Sequence, residues 1–151
     1  MIWKPNVTVA AVVEREGRFL LIEEETSRGR LFNQPAGHLE PGESLAEAVA
    51  REALEESAYS FRPDALVGIY QYRSAAEKVT YLRFAFAGEV TGHDPHRALD
   101  TGIVRAVWLA PDEARCDSGR HRSPLVMRCI DDYLAGCRYP LSMLHHDPAS
   151  L

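Results

Sequence analysis

No stretch of this sequence comes near the roughly 20 consecutive apolar residues that a bilayer-spanning helix needs, so no helical span is expected. The N-terminus, MIWKPNVTVA, has neither the apolar core nor the cleavage site of a secretory leader. The expectation is a cytoplasmic protein with no membrane partner. Cysteine is scarce: Cys116, Cys129 and Cys137 are an odd set without a Cys-x-x-Cys pair. That argues against a disulfide framework and gives zinc no ligand set. No histidine context marks any of the three as a nucleophile, and Ser123 lacks a Gly-x-Ser-x-Gly setting. Positive charge is also short. The net charge of −5 argues against a nucleic-acid partner held by a broad basic surface. A small polyphosphate received at a local cation site stays compatible with it. Internal repeats and low-complexity segments are missing too.

What is there reads as ordinary globular sequence, with 46% hydrophobic and 26% charged residues. One domain over residues 1–151 is expected, as a monomer or weak homodimer. Val7–Val13 is a continuous β-rich run, as a buried strand would be. Arg15-Glu16-Gly17 makes a turn into a second strand, Arg18–Glu23. Thr26–Arg30 is polar and reads as a loop. Leu66–Tyr72 and Thr80–Val90 are β-like around a turn at Glu77-Lys78. Thr91–Thr101 reads as a loop, Arg105–Leu109 as a short strand, and Pro111–Arg115 as one helical turn. Ser123-Pro124 opens a last helix to about Gly136, and the tail after Arg138 looks irregular. Strands mixed with two substantial helices predict an α/β layered domain.

The densest chemistry lies between Gly37 and Tyr59. Ser44 and Glu47 form a capping box, which predicts a helix over Leu45–Ser57. Its Ala, Leu, Glu and Arg residues are strong helix formers. At about 100° per residue, Glu52, Glu55 and Glu56 share one face, while Ala46, Val49, Ala50, Ala53 and Leu54 spread over the other. Such an acidic face in isolation is ordinary solvated charge. The like charges repel, and a hard divalent cation with oxygen ligands would relieve that repulsion.

Spacing adds what the face alone does not. Gly37, five residues, Glu43, seven residues, Arg51-Glu52, then Glu55-Glu56 resembles the Nudix box, G-x5-E-x7-R-E-U-x-E-E-x-G-U. Ala53 takes the place of a larger aliphatic residue, and Ala58 stands where the second glycine is expected. The segments KPNVTVAAVV, LFNQPAGHLEPGESL, LRFAFAGEV, RSPLV and RYPL resemble the NudJ-type phosphatase branch of that family. The resemblance implies a Nudix-like α/β/α sandwich around a mixed sheet. It implies Mg²⁺ or Mn²⁺ held by Glu52, Glu55, Glu56 and the carbonyl of Gly37. Arg51 would pair with Glu43 or orient Glu52. It also implies removal of terminal phosphate from nucleoside di- and triphosphates and from hydroxymethylpyrimidine diphosphate.

Phosphoanhydride hydrolysis needs a base for the attacking water. Glu52 is the first candidate, held by Arg51; Glu89, Asp94 and Asp100 are downstream alternatives. Arg28, Arg30 and Arg83 are candidates to meet substrate phosphate. Phe32, Tyr70 and Tyr72 would either stack on a base or pack in the core, and His38 lies in the box loop. Two other functions compete. One is a nucleotide-sensing domain without turnover, which loss of box carboxylates would favour; none is lost. The other is a pyrophosphatase of dinucleotides such as ADP-ribose. In ADP-ribose hydrolases of the family a proline typically follows the box, and none occurs here between Pro63 and Pro95.

Overall fold

The computed structural model describes residues 1–148; residues 149–151, counted above in the same domain, lie outside them. Strand β1 (Asn6–Val12) is the buried apolar run expected from its sequence. Glu16 and Gly17 both take positive φ, 53° and 78°, the backbone that a tight hairpin turn requires. That turn joins β2 (Glu14–Arg15) to β3 (Arg18–Thr26). Then follow β4 (Gly29–Asn33), β5 (Ala36–His38) and helix α1 (Leu45–Ser57). A long hairpin, β6 (Tyr59–Ser74) and β7 (Val79–His93), is followed by β8 (Ile103–Leu109) and α2 (Pro111–Cys116). The chain closes with α3 (Leu125–Leu134) and β9 (Tyr139–Pro140).

The strands form two sheets. One is mixed, in the order β5-β1-β7-β6-β9, with β1 and β7 parallel. The other is antiparallel, with β3 flanked by β4 and by β8, and β2 extending it. Period-two alternation splits the core. Val9, Ala11, Leu66 and Phe86 pack with Ala48, Val49 and Ala53 of α1. Val12, Val67, Ala85 and Ala87 pack with Val126, Cys129 and Ile130 of α3. Helices thus cover the strands from two sides, the α/β layering expected from the sequence. Among the described residues no helix is long and apolar enough to cross a membrane.

Helix α1 has the predicted bounds. Ser44 Oγ accepts the Glu47 N–H at 3.0 Å, and Glu47 Oε1 accepts the Ser44 N–H at 3.1 Å. Ala58, in place of the expected glycine, still adopts the left-handed conformation (φ 62°) and donates its N–H to the Leu54 carbonyl. Several strands differ from the sequence reading. The loop expected over Thr26–Arg30 shrinks to a two-residue turn at Ser27 and Arg28: Thr26 Oγ1 accepts the Arg28 N–H, and the strands run to Thr26 and from Gly29. Its polar side chains face solvent while the backbone ladder continues. The strands read as Leu66–Tyr72 and Thr80–Val90 reach from Tyr59 to His93, because the ladder absorbs Pro63 at a register shift. The tail is not wholly irregular, since Tyr139 and Pro140 pair with Leu66 and Ala65 at the sheet edge.

Candidate active site

Helix α1 follows edge strand β5 through the acidic loop, which sets the carboxylates against the end of the mixed sheet. Arg51 organises them. Its Nε and Nη2 donate to Glu43 at 3.0 and 2.7 Å, a two-pronged pair. Its Nη1 reaches Glu52 Oε1 at 2.8 Å and Glu55 Oε2 at 3.2 Å, and Nη2 also holds the His38 carbonyl. Arg51 therefore pairs with Glu43 and orients Glu52 at once. The Arg51 hydrogen bonds hold the Glu43 carboxyl below the usual range despite partial burial.

Glu52 is 9% exposed. Burial pushes its carboxyl up, and Arg51 opposes the rise. Its closest structural constraint is Gly37, where an added β-carbon would stand 2.1 Å from Glu52 Cδ. Glu56 accepts the Ala36 N–H at 2.9 Å. Burial raises its carboxyl to about 8; the Ala36 hydrogen bond lowers it, and Glu52, Glu24 and Asp100 push it back up. Asp100 arrives from the β7–β8 loop, its N–H bound to the Glu55 carbonyl at 3.0 Å. Glu52, Glu55 and Asp100 each bring one oxygen within 4.8 Å of the others.

Of these groups, Glu52 and Glu56 line a cleft of about 440 Å³, together with Ala36 and Gly37, whereas Glu55 and Asp100 stand behind Glu52, outside the lining. Its floor is the mixed sheet, where His38, Thr8 and Arg83 stand side by side on β5, β1 and β7. Tyr72 and Tyr81, paired across β6 and β7, also line it. Two arginines enter, Arg83 from the floor and Arg122 from the segment before α3. Arg122 is ion-paired with Glu24 at 3.2 Å and with Glu77, which also accepts the Tyr81 hydroxyl. The cleft thus has an acidic end and two arginines, of which Arg122 is matched by Glu24 and Glu77 while Arg83 has no carboxylate partner among the described residues.

The family model of the NUDIX domain matches residues 3–128. The chain belongs to the Nudix family. It is 43% identical over 142 residues to phosphatase NudJ of Escherichia coli K12, covering 94% of this chain and 92% of that protein. It is 55% identical to a NUDIX hydrolase from Nitrosomonas europaea. That structure superposes with a TM-score of 0.95 over 97% of this chain and 100% of the other. A MutT NUDIX hydrolase from Burkholderia pseudomallei, at 20% identity and TM-score 0.73 over 86% of this chain, shares the fold.

This Nudix hydrolase does not bring every candidate to its cleft. Glu89 pairs across the hairpin with Arg62 at 3.0 Å and is exposed there. Asp94 caps the His96 N–H instead. Arg28 donates to the Arg122 carbonyl, and Arg30 to Glu25, both outside the lining. Phe32 is 3% exposed in the core, with the Arg120 guanidinium over its ring at 4.7 Å. Tyr70 packs beneath α3 with its hydroxyl on Asp132 at 2.7 Å. Tyr72, Arg83 and His38 do line the cleft.

Glu24, Glu77, Tyr81 and Arg122 also line the cleft of this Nudix hydrolase, and none of them belongs to the box motif. Glu24 had a signal: in a strand that continues past Glu23, alternation turns Glu24 away from Glu23. Glu23 is indeed buried against Arg105 and Arg120 instead. Arg122 had none, because its place in the cleft depends on Phe32, whose carbonyl accepts the Arg122 N–H at 2.7 Å.

Proposed function

We propose that the chain is a Mg²⁺- or Mn²⁺-dependent phosphohydrolase. It releases terminal phosphate from nucleoside di- and triphosphates and from hydroxymethylpyrimidine diphosphate. One observation carries the reading: a cleft with clustered carboxylates at one end and two arginines along it. A polyanion needs the arginines, and a divalent cation needs the acids. The donor set fits a hard cation, being all oxygen, and Gly37 leaves room for the Glu52 carboxylate beside the backbone. Glu52, Glu55, Glu56, Asp100 and the Gly37 carbonyl would hold it. When bound, such an ion neutralises phosphate charge and lowers the pKa of water.

The chain's own residues supply the rest. Arg83 draws the phosphates into the cleft, against the net negative charge of the protein. Glu52 accepts the proton of the attacking water. Arg51, fixed by Glu43, holds Glu52 in place for that transfer. Water oxygen bonds to the terminal phosphorus as the bond to the bridging oxygen breaks. The bridging oxygen departs with its electron pair on the shortened substrate.

The test is product analysis with Mg²⁺ and a panel of nucleotides, thiamine diphosphate and hydroxymethylpyrimidine diphosphate. Orthophosphate is the expected product. Pyrophosphate or paired mononucleotides would move the assignment to the dinucleotide reading. Glu52→Gln and Glu56→Gln should each lose about 10²–10⁴-fold in kcat. Full activity in both would overturn the proposal.

A further inference from the structure

Arg83 carries a charge that the protein leaves unanswered. It is 6% exposed, yet its partners are neutral: Gln34 Oε1 at 2.9 Å, Asn33 Oδ1 at 2.9 Å and the Cys129 thiol at 3.8 Å. Among the described residues it has no carboxylate in ion-pair range. Arg122, the other arginine lining the cleft, and Arg51 behind the carboxylates are both answered. Arg51 meets Glu43, Glu52 and Glu55, and Arg122 meets Glu24 and Glu77. Burying an unpaired ion is costly, so a site that keeps one is built for an anion that arrives later.

The bracing of Arg83 fits that purpose. Gln34 is 1% exposed and is itself fixed by donating to the Val126 carbonyl at 2.8 Å. Asn33, at the end of β4, and Gln34, just after it, hold the guanidinium. Nε and one Nη2 hydrogen have no protein acceptor among the described residues. A guanidinium presents parallel N–H groups to phosphate oxygens. Arg83 lines the same cleft as Glu52 and Glu56, from β7, two strands in from edge strand β5.

We propose that Arg83 binds the phosphate on the organic side of the scissile bond. The inference rests on the phosphohydrolase reading and deepens it. A substrate with linked phosphates can meet the carboxylate end and Arg83 together, since both line one cleft.

Two measurements test it on the whole chain. The first is titration of the metal-free protein with inorganic orthophosphate, which needs no turnover. Arg83→Gln should bind it roughly tenfold or more weakly than wild type, the loss of a charge-assisted hydrogen bond. The second is steady-state hydrolysis of a nucleoside diphosphate with Mg²⁺. KM should rise by a similar factor in Arg83→Gln while kcat moves less than about threefold, with partial rescue in Arg83→Lys. A purely structural brace would lower the melting temperature and leave KM and phosphate affinity alone. Equal affinities and equal KM, or no orthophosphate binding by wild type, overturn the inference. If Arg83→Gln does not fold, Arg83→Lys and Asn33→Ala decide, and unchanged KM in both overturns it. Absence of Mg²⁺-dependent phosphate release would sink the phosphohydrolase reading and leave the orthophosphate titration readable.

Discussion

The carboxylate of Glu52 fills the space that a side chain at Gly37 would need, with 2.1 Å between Glu52 Cδ and the position of an added β-carbon. The glycine at the head of the box is therefore required by contact rather than by backbone twist. Gly37→Ala should push Glu52 off its Arg51 hydrogen bond. A misplacement of about 1 Å costs on the order of 10²-fold in rate. Steady-state kinetics beside a thermal melt would show kcat falling by that order with the fold retained.

Glu56 predicts a pH dependence of the metal-free protein. Its folded-state carboxyl is raised to about 8, first by burial, from an ordinary value of 4.5. Between those values the unfolded chain has lost a proton that the folded chain keeps. Unfolding free energy should therefore fall as pH rises through that window, the reverse of a salt-bridged carboxylate. Urea denaturation in chelator at several pH values should show this slope, and Glu56→Gln should flatten it. Below pH 8, apparent Mg²⁺ affinity should rise with pH, by up to about tenfold per unit, since the proton must leave for the cation to bind.

Asp100 and Glu89 were equal candidates in the sequence, and the fold separates them. Asp100 adjoins Glu52 and Glu55, whereas Glu89 sits in an exposed pair with Arg62. Asp100→Asn should raise the Mg²⁺ concentration for half-maximal activity by roughly tenfold through loss of one hard ligand. Glu89→Gln should leave activity unchanged and stability within about 1 kcal/mol, as for other surface pairs. A Mg²⁺ titration of both variants makes the comparison.

Ala58 holds a left-handed backbone at φ 62° while being 3% exposed. Left-handed backbone costs about 1–2 kcal/mol for residues with a β-carbon, and the buried methyl returns about 0.8 kcal/mol. Ala58→Gly should therefore stay within about 1 kcal/mol of wild type. Ala58→Val adds branching where backbone and space both refuse it, and should cost about 2–3 kcal/mol. Chemical denaturation of the two variants gives both values.

The site was legible where its logic is local. The capping box at Ser44 and Glu47 and the acidic face of α1 are fixed by spacing along one helix, so residue order reveals them. Arg83 was legible only as an arginine in a strand. That it is buried, and braced by Asn33 and Gln34, follows from how β7 and the end of β4 meet under α3. Phe32 was open between stacking and packing because aromatic character alone does not tell a core from a cleft; its strand places it in the core. The outer ends of β6 and β7 escaped because Pro63 and polar residues mask a ladder that a hairpin partner sustains.

The side-by-side pairing of Thr8 and Arg83 joins the two ends of the cleft through the parallel contact of β1 with β7. That contact closes a long loop of chain, so its entropy cost falls on a late stage of folding. During synthesis the box residues emerge before β7, so the anion-binding arginine can take its place only after they are made. A nascent chain ending before β7 would display every box carboxylate and still be unable to seat a diphosphate.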